Sequence, residues 1–582
     1  MGKNKRNIKH QNYLQLLLVL VVIAAAGIIS SVWFTRIDLT SEKRYTLSQS
    51  TKDILTNLDD IVFFRVYLEG DFPAGFKRLR RETKELLDEF RAYNKNIQYE
   101  FINPSESEDP QERNDTYKLL MEQGLKPTNL QVNTKSGVDQ KVIFPGAIVS
   151  YREKELPIEL LDAQINVPPE AVLNNSIEDL EYKLIESIKR ISRNKKQHLA
   201  FIEGHGELPE KEVWDITQTL KQDFVVERVP INGNINALVK RTLIDTVKND
   251  YQITPKYAAI IIAKPDSAFS DKDKFIIDQY LMYGGKILWL IDPVVASMDS
   301  IQNSSSTVAI DANLRLQDQL FMYGARINKD LIMDLNALPI PLKTGMMGDQ
   351  PQINFFPWYY FPVIIPVSQN PIVRNLNAIK TQFVSSIDTT RVKGVKKSIL
   401  LQSSNYSRTV TMPAMISLSM LKQKPDERLY KGPPRAVAVL LKGTFKSYYD
   451  NRIPPSLMEA KEIGFKKQSP ETSMIVVSDG DIIRNQFKIP QGYPLPLGYD
   501  QFTKETFGNK EFLLNAINYL TGGADLISIR SREVKLRMLN MTKVNDNRLV
   551  IQLINVVLPI LVIIFAGMLL MWLRKRKYTK RF

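Results

Sequence analysis

The chain has 582 residues, too many for a single domain, and its length predicts about three or four structural units. It contains no cysteine, which excludes disulfides, thiolate catalysis and zinc–sulfur sites. The net charge is +15, but ten of the cations lie in two short terminal tails without acidic residues. The remaining +5 is spread over the rest of the chain, which excludes a nucleic-acid-binding surface.

Two long apolar segments adjoin the basic tails. Residues 14–34 are 21 positions without a charge, and residues 549–573 are 25. About 20 apolar residues span the hydrocarbon core, so both segments are predicted transmembrane helices. A cleaved signal peptide is the alternative for the first, because Ala24, Ala25 and Ala26 resemble a cleavage site. We favour a retained helix, since the apolar run continues for eight residues beyond them.

The flanks of the two segments predict the topology. Residues 1–13 and 574–582 are short and basic, so both termini are expected in the cytoplasm. Residues 35–548 then form a large extracytoplasmic body, because long domains are translocated largely regardless of their charge.

One face of the second predicted span is polar. Gln552, Asn555 and Pro559 are spaced by three and four residues, which places them on the same side of a helix. Polar side chains in a membrane helix usually point at another helix. We therefore predict a membrane-partner face here, the alternative being an amide that the bilayer simply tolerates.

The first extracytoplasmic region, residues 35–165, alternates strands and helices. The predicted strands have β-branched or aromatic patterns, and the predicted helices have apolar residues at helical spacing. In chain order these segments are a helix after Ser48, a strand at 61–70, a helix at 76–94, a strand at 97–104, an acidic loop at 104–116, a helix at 117–123, and strands at 129–132 and 147–151. The order resembles a thioredoxin-like domain, but Cys-x-x-Cys is absent and only the scaffold is implied.

A predicted linker at 166–175 leads to a second domain at 176–523, which begins with a helix capped by Ser176. Its first half alternates predicted strands and helices, and one strand is continuously apolar, as a buried parallel strand is. These segments are strands at 198–202, 225–229, 257–265 and 286–293, with helices at 211–222 and 270–285. We expect a doubly wound, mostly parallel sheet.

The second half of this domain is harder to assign. Residues 296–470 include a helix near 314–323, and residues 355–361 hold six aromatics in seven positions. Such a run suits sugar stacking or membrane contact, but we favour packing in a core or an interface. A strand and acidic turn at 473–481 and a helix at 508–523 close the domain, and a juxtamembrane segment, 524–548, follows.

Several catalytic and nucleotide motifs are absent from the sequence. It contains no phosphate-binding loop, no G-x-S-x-G and no H-E-x-x-H, and it has only three histidines. No nucleophile accompanies His198 or His205. We therefore predict no nucleotide binding, no cofactor, no metal and no catalytic residue.

One loop nevertheless has the composition of a site. Glu203, Gly204, His205, Gly206 and Glu207 follow the first predicted strand of the second domain. Ligands bind outside the carboxyl ends of strands in open α/β sheets, and glycines permit close backbone approach. We favour a structural turn. A small-molecule or sugar contact, and catalysis or metal binding, are the alternatives.

Three further carboxylates are expected at the same edge of the sheet. Asp292, Asp479 and Asp481 each come just after a predicted strand. Together with residues 203–207 they make up the candidate ligand or vestigial site.

Several motifs resemble the GldG family of gliding-motility ABC-transporter auxiliary subunits. The motifs run from one end of the chain to the other: YTLS (45–48), YEFINP (99–104), GHGE (204–207), DQYLMYGGKILWLIDP (278–293), VVSDGDIIRNQF (476–487), PLPLGYD (494–500) and GNKEFLLNAINYL (508–520). The resemblance implies a bacterial inner-membrane subunit with a periplasmic body, associated with a multi-span permease and, through it, a cytoplasmic ATPase. It also implies a glutamine-amidotransferase-like second domain. Such folds use a cysteine nucleophile, which this chain lacks.

The sequence thus predicts an α/β protein with two transmembrane helices flanking a thioredoxin-like domain and a doubly wound, amidotransferase-like domain. Its predicted function is that of a non-catalytic ABC-transporter subunit in gliding motility or linked secretion, present in two copies. The alternatives are an envelope hydrolase or sugar-modifying enzyme using Glu203, His205 and Glu207, and a periplasmic scaffold protein.

Overall fold

A computed structural model describes nine stretches of the chain. They are residues 13–14, 16–23, 47–134, 137–161, 168–193, 195–245, 250–347, 350–523 and 547–578. The chain divides into two compact units, one comprising Met1–Thr46 with Glu533–Phe582 and the other Leu47–Arg532. Residues 1–12 and 579–582 of the two tails, residues 15 and 24–34 of the first predicted span and residues 524–546 of the juxtamembrane segment lie outside the described residues.

The larger unit begins with a four-stranded mixed sheet and its helices. The elements are α1 (Gln49–Thr56), β1 (Val62–Val66), α2 (Ala74–Tyr93), β2 (Ile97–Phe101), α3 (Pro110–Glu122), β3 (Thr128–Thr134), β4 (Gly137–Ile143), β5 (Gly146–Tyr151) and β6 (Lys154–Glu159). The sheet order is β2-β1-β5-β6, with β1 and β2 parallel and the other pairs antiparallel. β3 and β4 form a separate hairpin. The thioredoxin-like assignment stays a prediction.

Helix α3 is longer than the sequence pattern indicated. It starts at Pro110, inside the predicted loop 104–116, because Asp109 caps it and Pro110 occupies its first turn. The Asp109 carboxylate accepts a hydrogen bond of 2.9 Å from the amide of Gln111.

Two helices, α4 (Pro169–Glu178) and α5 (Leu180–Ser192), replace the predicted linker and single helix. Pro169 starts α4, since its fixed φ suits a first helical turn. The assignment of Ser176 as an N-cap is therefore wrong: its hydroxyl lies inside α4 and donates to the carbonyl of Val172 at 2.8 Å. The linker prediction is likewise wrong for residues 169–175, which are helical, whereas 166 and 167 lie outside the described residues.

Helix α5 belongs to the first core. Leu184 and Ile188 are fully buried in the same hydrophobic cluster as Phe64 of β1. Residues near both ends of the described part of this unit also contact α5. The amide of Ser48 donates to Glu181 at 2.8 Å, and Lys189 donates to the carbonyl of Gly522 at 3.4 Å.

The remaining elements of the larger unit follow in chain order. They are β7 (Gln197–Glu203), α6 (Trp214–Asp223), β8 (Phe224–Pro230), β9 (Val239–Asp245), β10 (Asp250–Pro255), β11 (Ala259–Ala263), α7 (Asp271–Met282), β12 (Ile287–Leu290), β13 (Val294–Val295), α8 (Met298–Ser304), β14 (Ser306–Asp311), α9 (Gln317–Tyr323), β15 (Ala325–Ile327), β16 (Asp330–Asp334), β17 (Ala337–Met347), β18 (Gln350–Ile364), β19 (Ile379–Lys380), β20 (Ile387–Thr389), β21 (Val395–Gln402), β22 (Ser407–Thr411), β23 (Ala414–Ser417), β24 (Ala436–Gly443), α10 (Pro455–Glu459), β25 (Thr472–Val477) and α11 (Asn509–Asn518).

A nine-stranded sheet forms the centre of this region. Its order is β15-β20-β24-β25-β12-β11-β7-β8, with β21 also paired to β24. The strands from β25 to β8 are parallel, and those on the other side of β25 are antiparallel. The predicted α/β class is confirmed, and the antiparallel extension comes from the region that the sequence pattern left unassigned.

Apolar helices cover both faces of this sheet. Leu199 and Phe201 of β7 pack into one core with residues of α6 and α11, whereas Ala200 and Ile202 pack into a second core with residues of α7 and α9. The alternation follows from the period of two along a strand. As predicted, Ser270 caps α7, with its hydroxyl accepting from the amide of Asp273 at 3.1 Å.

A further core, which we call the hairpin core, lies under the long β17–β18 hairpin. It takes up four of the six clustered aromatics, namely Trp358, Tyr359, Tyr360 and Phe361. Phe355 in the same run is 52% exposed. Core packing thus accounts for most of the run.

The smaller unit contains one long helix, α12 (Arg548–Tyr578). Within the described residues, Gln552–Arg576 is the one stretch of helix long and apolar enough to cross a membrane. The predicted second span, 549–573, lies within α12. Residues 16–23 of the predicted first span are helical, and most of its remainder lies outside the described residues.

The packing of α5 yields a prediction. Leu184→Ala removes a fully buried side chain from the first core and should cost about 2–5 kcal/mol of unfolding free energy. Hydrogen exchange should quicken mainly in β1, β2 and β5. Leu119→Ala, the same change at a site 54% exposed, is the control and should have little effect. Loss of protection confined to β7 and β11 would contradict this placement of α5.

Candidate functional site

Four loops converge at one edge of the nine-stranded sheet. Strands β7, β11, β12 and β25 are parallel, so their carboxyl ends lie together. In chain order the parallel strands are arranged 2-1-3-4-5, from β8 to β25. α6 and α7 lie on opposite faces, so the connections reverse direction between β7 and β11. The ligand crevice of a doubly wound sheet forms at such a reversal.

The loop after β7 places His205 at this position. The ring is buried, with 4% exposure, and it stacks on Phe269 with centroids 3.7 Å apart and planes 11° apart. Its Nδ1 lies 3.1 Å from a carboxylate oxygen of Glu207, and its Nε2 lies 3.2 Å from one of Asp273. Both ring nitrogens are therefore committed to buried carboxylates.

Asp273 is itself held by other donors. The hydroxyl of Ser270 and the backbone amide of Gly233 each donate to its carboxylate at 2.7 Å. The amide of His205 donates to Glu207 at 2.7 Å, which fixes the second carboxylate. The histidine thus joins the loop after β7 to the start of α7.

These carboxylates favour a charged imidazole. Burial acts to lower the pKa of His205, but the hydrogen bonds and charges of Glu207 and Asp273 outweigh it, and the pKa is raised. Burial acts to raise the pKa of Asp273, but Ser270, Gly233 and His205 reverse that effect and lower it. When the imidazole is protonated, it and the two carboxylates form a buried ion-pair cluster.

Backbone hydrogen bonds close the crevice between β7 and β11. The carbonyl of His205 accepts from the amides of Asp266 and Ser267, both at 3.0 Å. Gly206 has a φ of +73°, and a β-carbon there would lie 1.6 Å from the carboxylate of Asp266. The glycine is required because the two loops touch at this point.

Glu203 and Gly204 lie at the start of the loop. The Glu203 carboxylate pairs with Arg228 of β8, and Arg228 also donates to the carbonyl of Leu208 at 2.7 Å. Gly204 has a φ of +116°, and a β-carbon there would lie 3.0 Å from the side chain of Asn232. The first half of the loop is therefore also built into the fold.

The other three predicted carboxylates form a second cluster. The Lys264 ammonium lies 3.1 Å from Asp292 and contacts Asp481 as well. The amide of Gly480 donates to Asp292. Asp479 is fully buried and accepts from the amides of Asp481 at 2.8 Å and Gln382 at 3.0 Å.

Burial and mutual repulsion shift the acidities of this second cluster. Burial raises the pKa of Asp292 to about 6, with Asp481 adding to the rise and Lys264 opposing it. Burial also raises the pKa of Asp479, and the charges of Asp292 and Asp481 reinforce the shift. Lys264 carries one positive charge and contacts two carboxylates, Asp292 and Asp481, so it does not balance both.

The second cluster borders a cavity of about 440 Å³. This volume lies within the range of small-ligand pockets, about 300–1,000 Å³. Its lining combines the charged side chains of the second cluster with apolar ones, among them Val294, Met298, Phe383 and Phe487. Arg484, which pairs with Glu212 at 2.6 Å, also lines it.

The predicted site residues thus fall into two groups with different surroundings. Residues 203–207 are taken up by contacts within the fold. Asp292 and Asp481 instead line the cavity, and the buried carboxylate of Asp479 accepts a hydrogen bond from the amide of Asp481. Sequence reasoning missed Asp273 as the partner of His205, although its place three residues after the Ser270 cap is a recognisable helix-start signal. It also missed Arg484.

The described residues contain no group of three or more histidines, cysteines, aspartates or glutamates arranged to hold a metal ion. The cluster around His205 has two carboxylates, but both accept hydrogen bonds from the imidazole or from backbone amides. Its geometry suits a protonated histidine rather than a metal.

The membrane-partner residues lie on α12. Gln552, Asn555 and Pro559 are all exposed within the part of the chain that the structure describes, and Pro559 is inside the helix. The helical spacing assumed in the sequence analysis therefore holds for these three positions.

The fold and site define a doubly wound α/β protein whose switch-point crevice is filled by its own loop. Residues 196–516 match a family model described as an ABC-type uncharacterized transport system, and the chain belongs to this family, since the match covers more than half of its 582 residues. Membership supports an auxiliary role in an ABC-type transport system and association with a transporter complex. Residues 41–150 match a domain of unknown function.

Two individual proteins are similar to the chain. An uncharacterized protein of Borreliella burgdorferi is 22% identical over 590 residues, covering 99% of both chains. Among solved structures, the mmIFT52 N-terminal domain has a TM-score of 0.29 and 11% identity, covering 56% of this chain and 98% of that one. A TM-score this low assigns no common fold.

The ion-pair cluster yields a prediction. His205→Ala leaves two buried carboxylates without their cation and should cost about 3–5 kcal/mol of unfolding free energy near pH 6. The folded-state pKa of His205 is raised, so this stabilisation is complete below the unfolded value and is lost as the pH rises through the folded one. Urea unfolding should therefore show the deficit shrinking as the pH rises through the folded-state pKa of His205.

His198→Ala is the matched control. That imidazole also pairs with a carboxylate, Glu227, but it is 51% exposed, so its removal should cost about 0–1 kcal/mol. Equal losses for the two alanine variants at every pH would show that His205 is not held as a buried cation.

Proposed function

We propose that the chain is a non-catalytic subunit of an ABC transporter complex, in which a separate subunit hydrolyses ATP. The observation that carries the proposal is the closed crevice between β7 and β11, where a doubly wound enzyme would bind its substrate. His205, the one histidine at this edge, has both ring nitrogens bonded to buried carboxylates. It therefore offers no free nitrogen to act as a base.

The same geometry argues against the hydrolase or sugar-modifying alternative. That reading needs Glu203, His205 and Glu207 to face a substrate together. Glu203 instead pairs with Arg228, and the Glu207 side chain is only 1% exposed. Membership in a transport-system family supports the non-enzymatic role as well.

We propose that the protein resides in a bacterial inner membrane with both termini in the cytoplasm and residues 35–548 in the periplasm. The basic tails and the apolar helix at Gln552–Arg576 support this arrangement. The second anchor is the proposed span at 14–34.

We further propose that the subunit acts in gliding motility or in secretion linked to it. This part rests on the resemblance of the seven motifs to the GldG family. It implies a multi-span permease as the direct partner, an ATPase bound through that permease, and two copies of this chain around a permease dimer.

The proposed topology makes a prediction about protease access. Protease added outside spheroplasts should digest residues 35–548 and spare epitope tags at both termini, because both tails lie in the cytoplasm. Lysed spheroplasts, in which both tags should be cleaved, are the control. A C-terminal tag that is cleaved in intact spheroplasts would contradict the arrangement.

The polar face of α12 makes a prediction about assembly. Interhelical hydrogen bonds in membranes average about 0.6 kcal/mol and reach about 1.7, so Gln552 and Asn555 with close packing bias association by roughly 1–3 kcal/mol. Gln552→Leu with Asn555→Leu should keep the chain in the membrane and reduce co-purified permease by about five- to 150-fold. Quantitative mass spectrometry of detergent extracts measures this.

Ile554→Leu with Val557→Leu is the control for that variant. These positions lie on the opposite side of the helix, and two leucines there leave the polar face intact. If the Gln552→Leu/Asn555→Leu variant retains as much permease as this control does, α12 is only an anchor, and the subunits meet elsewhere.

A further inference from the structure

A small sheet next to the cavity is apolar on its solvent face. Val308 and Ile310 of β14 are 54% and 51% exposed, and their cross-strand neighbours Met415 and Val295 are 73% and 54% exposed. Residues two apart on a strand share a face with their cross-strand partners. The four side chains therefore form one strip, which we call the apolar strip.

The reverse face of this sheet is also apolar. Ala309 and Ile416 are fully buried in the hairpin core, under β17 and β18. Antiparallel sheets usually present a polar face to water, and a contiguous exposed apolar patch marks an interaction surface. The apolar strip is such a patch.

The apolar strip continues into the cavity, because Val295 belongs to both. The lining of the cavity combines apolar side chains with charged ones, among them Lys264 and Arg484. The exposed sheet face and the cavity therefore adjoin and form one groove.

The cavity carries more acid than base. Four carboxylates line it: Asp266, Asp292, Asp299 and Asp481. The two lining cations are already engaged, Lys264 by Asp292 and Asp481, and Arg484 by Asp481 and Glu212. Asp266 and Asp299 are exposed and have no ion pair within the described ranges. The cavity therefore favours a cation.

We infer that the cavity and the apolar strip form a docking groove for an extended segment of a partner protein, with a lysine or arginine beside apolar side chains. The basic side chain enters the cavity, and alternate apolar side chains, which point the same way in an extended segment, cover the strip. A small amine in the cavity would leave the strip uncovered. An anionic lipid surface would be repelled by the carboxylates.

The inference deepens the proposed function and rests on it for one point, that the partner is another subunit of the transporter complex. The chemistry of the groove is tested without that subunit. A failure of the groove and a failure of the transporter assignment therefore give different results.

The test uses the full-length chain in lipid nanodiscs and a fluorescein-labelled octapeptide with one lysine followed by valines at alternate positions, separated by serines. Fluorescence anisotropy should show saturable binding. Replacing the lysine by glutamate, or the valines by serine, should weaken binding about tenfold or more, because each change removes one half of the match.

Paired variants locate the binding. Asp266→Asn with Asp299→Asn should weaken binding about tenfold, since two exposed carboxylates that line the cavity lose their charge. Val308→Ser with Met415→Ser should weaken it similarly. Asp250→Asn with Asp318→Asn changes the net charge equally at two exposed carboxylates outside the cavity and should have less than about a twofold effect.

Three outcomes would overturn the inference. The first is that the peptide shows no saturable binding. The second is that all three paired variants of the protein bind the peptide equally well. The third is full binding of the valine-free peptide together with its displacement by hexylamine, which would show that the cavity takes a small amine alone. Peptide binding as expected, with permease association unchanged in the Val308→Ser/Met415→Ser variant, supports the groove and shows that the permease is not its partner.

Discussion

A buried cation between two buried carboxylates fixes the edge of the central sheet. His205 links Glu207 in its own loop with Asp273 at the start of α7, and Asp273 in turn binds the amide of Gly233 after β8. Removing His205 leaves two buried carboxylates without their cation, and removing either carboxylate leaves one ring nitrogen without its partner, so the three are held as a set. The position of the second loop, at Asp266 and Ser267, follows from the hydrogen bonds to the carbonyl of His205.

Several of the motifs noted in the sequence take part in such fixing contacts. Asn509 of the GNKEF motif exchanges hydrogen bonds with the backbone of Lys380, and Gly508 donates to Ala378. Asp479 of the SDGD motif accepts from Gln382. Two distant parts of the chain therefore hold the segment around β19. Motifs of this kind report a shared scaffold more directly than a shared chemistry.

The sequence reveals the parts of this fold that depend on local patterns. Helix α7 and strand β11 were predictable because a serine cap, helical spacing and a continuous apolar run each determine structure within a few residues. The α4–α5 pair was not, because Ser176 has the composition of a cap but follows a proline that starts the helix earlier. The antiparallel strands beyond β25 pair over long separations, which no local pattern encodes.

The sequence likewise predicted only part of the candidate site. The rule that loops at strand ends converge brought residues 203–207 and the three aspartates to one edge. It did not separate them into a closed ion-pair cluster and an open cavity, because that depends on Asp273, 68 positions from His205, and on the close contact at Gly206. The apolar strip was also hidden, since Val308, Ala309 and Ile310 are a continuous apolar run that does not show which side faces solvent.

The placement of α5 has a mechanical consequence. Ser48 and Gly522, near the two ends of the described part of the larger unit, contact α5 at Glu181 and Lys189, positions eight residues apart on one helix, or about 12 Å. A force applied at these two points therefore acts on one short stretch of α5. Because Gly522 continues from α11, which packs on the nine-stranded sheet, that sheet shares the load with α5.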